Sequence, residues 1–419
     1  MPYTSRMTFP TGFYWGAATA SYQVEGGIEN CDWAKAAREG RVPVCGAACE
    51  HYTRYEADFD IAKSLGHNCH RLSIEWARIE PEDGKFDEKA IEHYRDVLKA
   101  LRARGLEPFI TIWHFTLPLW FSEIGGFERA DAPEKFARYC AFVADKLGDL
   151  CTHFATMNEA MPFASNGWRR GTWAPFKAWP GIEMALRGVP GAVDTKKRVS
   201  IRNVTLYFRV IRHLAAAHNA AYAAIKKTRP DADVGLVHQV ILFHHDGALK
   251  NRLLAGILNW HWTHQFMSRV AGRCDSIGIN YYLHKKFGDT KEYPKTDMGW
   301  DVYPEGLHHA LLMVKRYGKP VYVSEAGIAD AKDTMRTSYI RELVYAMERA
   351  LKDGVDLRGF MYWSLLDNYE WAHGFEKRFG LIAIDYATQA RTIRQSAYGY
   401  AKMIADRTAS DGASTASRA

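Results

Sequence analysis

The chain has 419 residues, 47% of them hydrophobic, and a formal net charge of +7. That is ample for a large core; no run approaches the roughly 18 apolar residues of a membrane-spanning helix, and the basic residues are scattered, "KKR" at 196–198 being the densest run, which argues against the concentrated basic face of a nucleic-acid binder. The opening "MPYTSRMTFPTGF" lacks the basic-then-apolar order of a secretory signal, and seven cysteines favour reduced thiols in a cytoplasmic protein over a disulfide framework.

In chain order, eight short apolar or β-branched runs are each followed by a polar or aromatic cluster: "FYWGAATA", "NCHRLSIEWARI", "LEPFITIWHF", "HFATMNEA", "DVGLVHQVILF", "CDSIGINYY", "PVYVSEAG" and "RGFMYWSLLDN". Runs without strict alternation suit strands buried on both faces of a parallel sheet. The segments between them carry helical periodicity. In "DEKAIEHYRDVLKALRARG", Ile91, Tyr94, Val97, Leu98 and Leu101 form one face, Asp87 caps the start and Gly105 follows the end. "TSYIRELVYAMERALKDG" repeats the design. Eight strand-then-helix units predict a single (β/α)8 barrel, an α/β fold, over residues 1–406. A doubly wound sheet is the alternative, but "WGAATASYQVEGG" lacks the GxGxxG loop such folds usually carry. The small, polar stretch 407–419 is expected to be a disordered tail.

A barrel concentrates its chemistry at the C-terminal ends of its strands. The polar residues expected there are Gln23, Arg71, His114, Asn158, Glu159, Asn280, Tyr282 and Glu325, with Trp363, Glu370 and Trp371 after the last strand. Two facing carboxylates, Glu159 and Glu325, are the minimal equipment for glycoside hydrolysis. Arg71 on the same mouth favours a charged Glu325, whereas Met157 and Ala160 give Glu159 a less polar setting that favours its protonated form. Glu159 is therefore expected as acid/base and Glu325 as nucleophile. Glu75 and Glu80 read as structural partners of cations. Among the tryptophans, Trp113, Trp168, Trp173, Trp179, Trp300, Trp363 and Trp371 fall near the expected mouth, where aromatic walls suit the C–H faces of sugars; Trp76 and Trp260 read as core. "CGAACEH" (Cys45, Cys49, His51) and "HWTH" (His261, His264) lack the spacing of a metal site.

The motifs "TFPTGFYWGAATASYQVEGG", "NCHRLSIEWARIEP", "WHFTLPLWF", "TMNEA", "GINYY", "DMGWDVYPEGL", "VSEAG" and "YWSLLDNYEWAHGFEKRFGL", in this order, resemble glycoside hydrolase family 1, the β-glucosidase and β-galactosidase family, from about residue 8 to 405. The resemblance implies a retaining exo-β-glycosidase acting on terminal β-glucosyl, β-galactosyl or β-fucosyl residues, with no metal or cofactor. It implies that Gln23, His114, Asn158, Glu370 and Trp371 hold sugar hydroxyls, that Trp363 floors the subsite with Asn280 and Phe379 among the substrate-binding residues, and that Arg71 and Tyr282 touch the nucleophile. Trp168, Trp173 and Trp300 are expected on the aglycone side, shaped by the aromatic, basic segment 161–200. Family members that act on 6-phosphorylated sugars replace the Glu of "NYEW", which this chain keeps as Glu370, so neutral sugars are expected. A transglycosylase, or a sugar-binding homologue with impaired catalysis, are the alternatives; a homo-oligomer is left open. The family usually writes NEP and TENG where this chain has "NEA" and "SEAG", so Ala160, Ser324 and Ala326 are departures beside both glutamates.

Overall fold

The protein is described by a computed structural model covering residues 9–179 and 198–408. Eight strands form one closed parallel barrel in chain order: β1 Tyr14–Ala18, β2 Cys69–Ser73, β3 Glu107–Thr111, β4 His153–Asn158, β5 Asp233–Gln239, β6 Ile277–Tyr281, β7 Val321–Ala326 and β8 Leu357–Trp363. The eight runs read from the sequence are these strands. β8 closes on β1, with Tyr14 opposite Gly359 and Ala18 opposite Trp363. Closure removes both sheet edges, which rules out the doubly wound alternative. Every residue of β7 is buried, because the barrel interior covers one face and helices the other.

The helix Glu88–Ala103 turns Ile91, Tyr94, Val97, Leu98 and Leu101 inward, and Asp87 accepts from the backbone N–H groups of Lys89 and Ala90 at 2.8 and 3.1 Å. Arg336–Lys352 buries Ile340, Leu343, Val344 and Met347 in the same manner. At the N-terminal end, aromatic side chains plug the barrel: Phe109 stacks on His153 with centroids 4.2 Å apart, and Tyr14 and Tyr322 pack edge-on to Phe109 at 5.0 and 5.2 Å. These rings leave a space of only about 40 Å³ at that end, against about 500 Å³ at the C-terminal mouth. Gly327, directly after β7, is required by close approach: a Cβ there would stand 1.8 Å from the carbonyl oxygen of Trp363.

Two expectations need correction. Trp260 is not core: it is 58% exposed, because it continues a helix that lies on the surface. The ordered chain also extends past 406. The last helix runs Gln395–Thr408, and Arg407 donates to Glu348 Oε1 at 2.9 and 3.1 Å. The remainder of the expected tail, and residues 180–197 of the expected aglycone segment, lie outside the described residues. All seven cysteines are buried and unpaired.

Candidate active site

A cavity of about 500 Å³ opens at the C-terminal ends of the strands. Gln23, His114, Asn158, Glu159, Tyr282, Glu325, Trp363, Glu370, Trp371 and Phe379 all line it, with Trp173 and Trp300 further out. The barrel brings these together from β1, β3, β4, β6, β7 and β8 although they span almost 360 residues of sequence.

Glu325 is the last residue but one of β7 and is 3% exposed. Its Oε1 pairs with Arg71 Nη1, and its Oε2 accepts the phenolic hydroxyl of Tyr282 at 2.6 Å. A cation and a hydroxyl donor thus each hold one of its two oxygens. Arg71, itself buried, also donates from Nε to Thr111 Oγ1 at 2.9 Å, from Nη1 to the Ser324 carbonyl at 3.2 Å and from Nη2 to Asn158 Oδ1 at 2.9 Å. Every arm of the guanidinium is anchored, so the charge beside Glu325 is fixed in place.

Glu159 follows β4 in the left-handed region (φ 45°, ψ 60°), where the strand turns sharply into the short helix Ala160–Ala164. Non-glycine residues adopt that conformation only when their surroundings hold them. Here the backbone N–H of Glu159 donates to Val237 of β5 at 2.9 Å, and Phe163 N–H bonds back to the Glu159 carbonyl at 3.2 Å. Ala160, where a proline was expected from the family, is simply the first helical residue. Glu159 is 5% exposed and its Oε1 accepts from Asn280 Nδ2 at 2.7 Å. Burial first, and then the charge of Glu325, push its carboxyl up to about 8, with Asn280 and Arg71 opposing. The two carboxyls therefore differ: one is held by a cation, the other is inclined to keep its proton.

The cavity floor presents unmet polar atoms. Gln23 is fully buried; its Nε2 donates to Asn368 Oδ1 at 3.0 Å and to the Tyr369 carbonyl at 2.7 Å, while Oε1 has no partner. His114 Nδ1 is also without a partner, and burial with Arg71 nearby holds the imidazole neutral. Its ring lies nearly parallel to those of Trp363 and Trp371, at 5.9 and 6.1 Å. Gln23 and His114 both line the cavity, where these atoms are open to a hydrogen-bonding partner. Glu370 stands partly exposed on the wall, its carboxyl pushed up to about 8 by burial and by Glu325. The peptide bond between Trp363 and Ser364 is cis.

Asn280 and Arg71 lie behind the glutamates rather than on the cavity wall. Trp168 does not reach the mouth: it is buried, packs on Phe163 at 5.3 Å, and donates to Glu128 Oε1 at 2.6 Å. Trp113 packs among Phe115, Phe127, Phe136 and Phe163, and Trp179 against Tyr207 and Phe208. Ser165, Asn166 and Arg170, from the expected aglycone segment, also line the cavity; sequence reasoning missed Gln239, whose Nε2 is 3.4 and 3.5 Å from the two Glu159 oxygens, and the wall residues Ile241, Trp262, Leu283 and Lys285. Gln239 lies in the middle of the fifth run, and only the structure shows that the strand β5 ends there.

Glu75 caps Trp76–Ile79 and accepts from Thr116 Oγ1 and Ser21 Oγ, while Glu80 accepts from Trp76 Nε1 at 2.8 Å and pairs with Arg138. Cys45 and Cys49 donate to the carbonyls of Tyr22 and Asp367, His51 bonds to Asp58, His261 to Tyr207 and His264 to Tyr317. Among the described residues, no three His, Cys, Asp or Glu side chains are grouped to hold a metal ion.

The model of glycosyl hydrolase family 1 matches residues 5–270 and 247–409. β-Glucosidase A of Thermotoga maritima is 30% identical, across 94% of this chain and 97% of its own length. A β-galactosidase of Pyrococcus woesei is 28% identical, across 92% and 95%. The solved structure of a β-glycosidase from Pyrococcus horikoshii superposes with a TM-score of 0.84 at 32% identity, covering 96% of this chain and 95% of that one. The chain belongs to glycosyl hydrolase family 1 and is a glycoside hydrolase of O-glycosyl bonds, similar to β-glucosidases and β-galactosidases.

Proposed function

We propose that the chain is a retaining exo-β-glycosidase that removes a terminal β-glucosyl, β-galactosyl or β-fucosyl residue through a covalent glycosyl-enzyme. The carrying observation is the contrast between the two carboxyls: Glu325 fixed against Arg71 and Tyr282, and Glu159 pushed up to about 8. The terminal sugar stacks on Trp363 and gives its hydroxyls to Gln23 Oε1, His114, Asn158 and Glu370. Glu159 donates its proton to the glycosidic oxygen while Glu325 attacks the anomeric carbon. The aglycone leaves as an alcohol. Glu159, now a carboxylate, takes a proton from water, which displaces Glu325 and restores the β configuration.

Asn280 supports the double displacement. Its amide bonds Glu159, and its Cα is paired with Glu325 across β6 and β7. This tie favours the separation of about 5–5.5 Å that a retaining pair needs, rather than the roughly 6.5–9.5 Å of inversion. Glu370, which family members acting on 6-phosphorylated sugars replace, is kept in this chain, and that favours neutral glycones. Seven buried, unpaired thiols fit a reducing cytoplasm. Proton NMR of the first product of an aryl β-glucoside tests the mechanism: β-glucose is expected first, with a 2-deoxy-2-fluoroglycosyl adduct on Glu325 by peptide mass. α-Glucose as first product, or an adduct on another residue, overturns it.

A further inference from the structure

The helix Leu249–Asn259 follows β5 and continues into Trp262, which lines the cavity. A surface helix ordinarily turns its apolar stripe inward. This one does the reverse. Leu249, Leu253, Ile257 and Trp260 are 67, 58, 63 and 58% exposed. At about 100° per residue they share a stripe about 80° wide. Gly256 borders that stripe with open space where a Cβ would stand, and Ala255, on the opposite side, is the only buried residue of the helix. Single exposed apolar residues are ordinary; four large ones in a contiguous row mark a contact surface.

Charge selects the occupant. Lys250 and Arg252 flank the stripe on its two sides, and no Asp or Glu occurs from Leu249 to Val270. Two copies packed through this face would bring like charges together. An anionic lipid surface instead receives the Leu, Ile and Trp side chains and pairs with the flanking cations, the pattern of a helix lying in a membrane interface. Among the described residues no helix is long and apolar enough to cross a membrane, so the contact is peripheral.

We infer that the helix Leu249–Asn259 with Trp260 docks the protein on an anionic lipid surface, beside the mouth of the cavity. The same connection supplies Ile241 and Trp262 to the cavity wall, so the aglycone it favours is an alkyl or acyl chain presented by that surface. This second half rests on the β-glycosidase reading; the docking does not.

The test is co-sedimentation of the full chain with vesicles of phosphatidylcholine and phosphatidylglycerol in equal parts. The Glu325→Gln variant is run in parallel, so that binding is read without turnover. Both are expected to bind, about tenfold more weakly to phosphatidylcholine alone, and to be released by salt. Leu253→Ser, Ile257→Ser and Trp260→Ser combined should lose about tenfold or more in vesicle binding and in turnover of vesicle-borne alkyl β-glucosides. Turnover of a soluble aryl β-glucoside should stay unchanged. Should the triple variant fail to fold, quenching of tryptophan fluorescence by brominated lipid decides, being expected in the wild type and reduced in Trp260→Phe. No binding to either vesicle, equal binding by the triple variant, or a wild-type dimer that the triple variant turns monomeric overturns the docking. Vesicle binding without turnover of any soluble glycoside would instead overturn the glycosidase reading alone.

Discussion

Ser324 Oγ stands 2.9 Å from Asn280 Oδ1 and 3.1 Å from the carbonyl of Ile279. Its contact with Oδ1 sets the amide of Asn280 so that Nδ2 points at Glu159 Oε1, 2.7 Å away. The residue next to Glu325 thereby aims the donor that serves the other glutamate. Ser324→Ala should lower kcat/KM about fivefold, the effect of about 1 kcal/mol for one lost hydrogen bond. The Asn280 bond lowers the titration of Glu159, so weakening it should move the alkaline limb of the pH profile upward. Ser324→Thr, which keeps a hydroxyl, should retain the wild-type limb. An unchanged profile in Ser324→Ala would sink this role.

Glu159 must be protonated to assist departure of the aglycone, so kcat/KM for alkyl glycosides should fall as pH rises through about 8. The charge of Glu325 is one cause of that elevated value. In Glu325→Gln, which should lose about 10⁴-fold or more in kcat, Glu159 should titrate at lower pH. Carbon-13 NMR of labelled glutamate carboxyls measures this; an unmoved Glu159 resonance would show that the pair is not coupled.

Replacing Glu159 by Ala should slow alkyl glycosides far more than activated aryl glycosides, because a phenolate leaves without a proton. A difference of about 10²-fold or more between the two classes is expected, within the usual range of general acid catalysis. Equal losses on both would remove Glu159 from the acid role.

The same elevation has a stability sign. Between the ordinary glutamate range and about 8, the unfolded chain ionises Glu159 while the folded chain keeps it protonated, so folding stability falls as pH rises through that window. Glu159→Gln removes this contribution. Its melting temperature relative to wild type should be a few degrees more favourable at pH 8 than at pH 5, read by scanning calorimetry. A smaller advantage at pH 8 than at pH 5 contradicts the elevated value.

Trp168→Phe and Trp173→Ala should separate packing from binding. The first loses the bond to Glu128 and should cost about 1–2 kcal/mol in stability, with kcat/KM unchanged. The second strips a wall of the cavity and should raise KM, with an extent that varies with the aglycone. Loss of activity without loss of stability in Trp168→Phe would return that residue to the site.

The sequence by itself determined the barrel and the identity of its chemical groups. Parallel strands buried on both faces are written as continuous apolar runs, and a barrel places the residue after each run at one mouth. Glu159, Glu325, Arg71, Gln23 and Glu370 were therefore legible as a set. So was the helix Glu88–Ala103, whose cap and apolar face are local signals. Tertiary structure alone decided what depends on packing between distant segments. Trp168, Trp113 and Trp179 share the composition of Trp173 and Trp300 but face the core or the outer helices, because an indole suits a core and a sugar wall equally. Trp260 repeats an apolar period that reads as buried, yet its helix is attached through Ala255, and nothing local states which face the barrel will cover. The roles of Ser324 and Gln239 arise from side-chain contacts between neighbouring strands. The elevation of Glu159 likewise follows from its burial and from the charge that the closed barrel brings across to it.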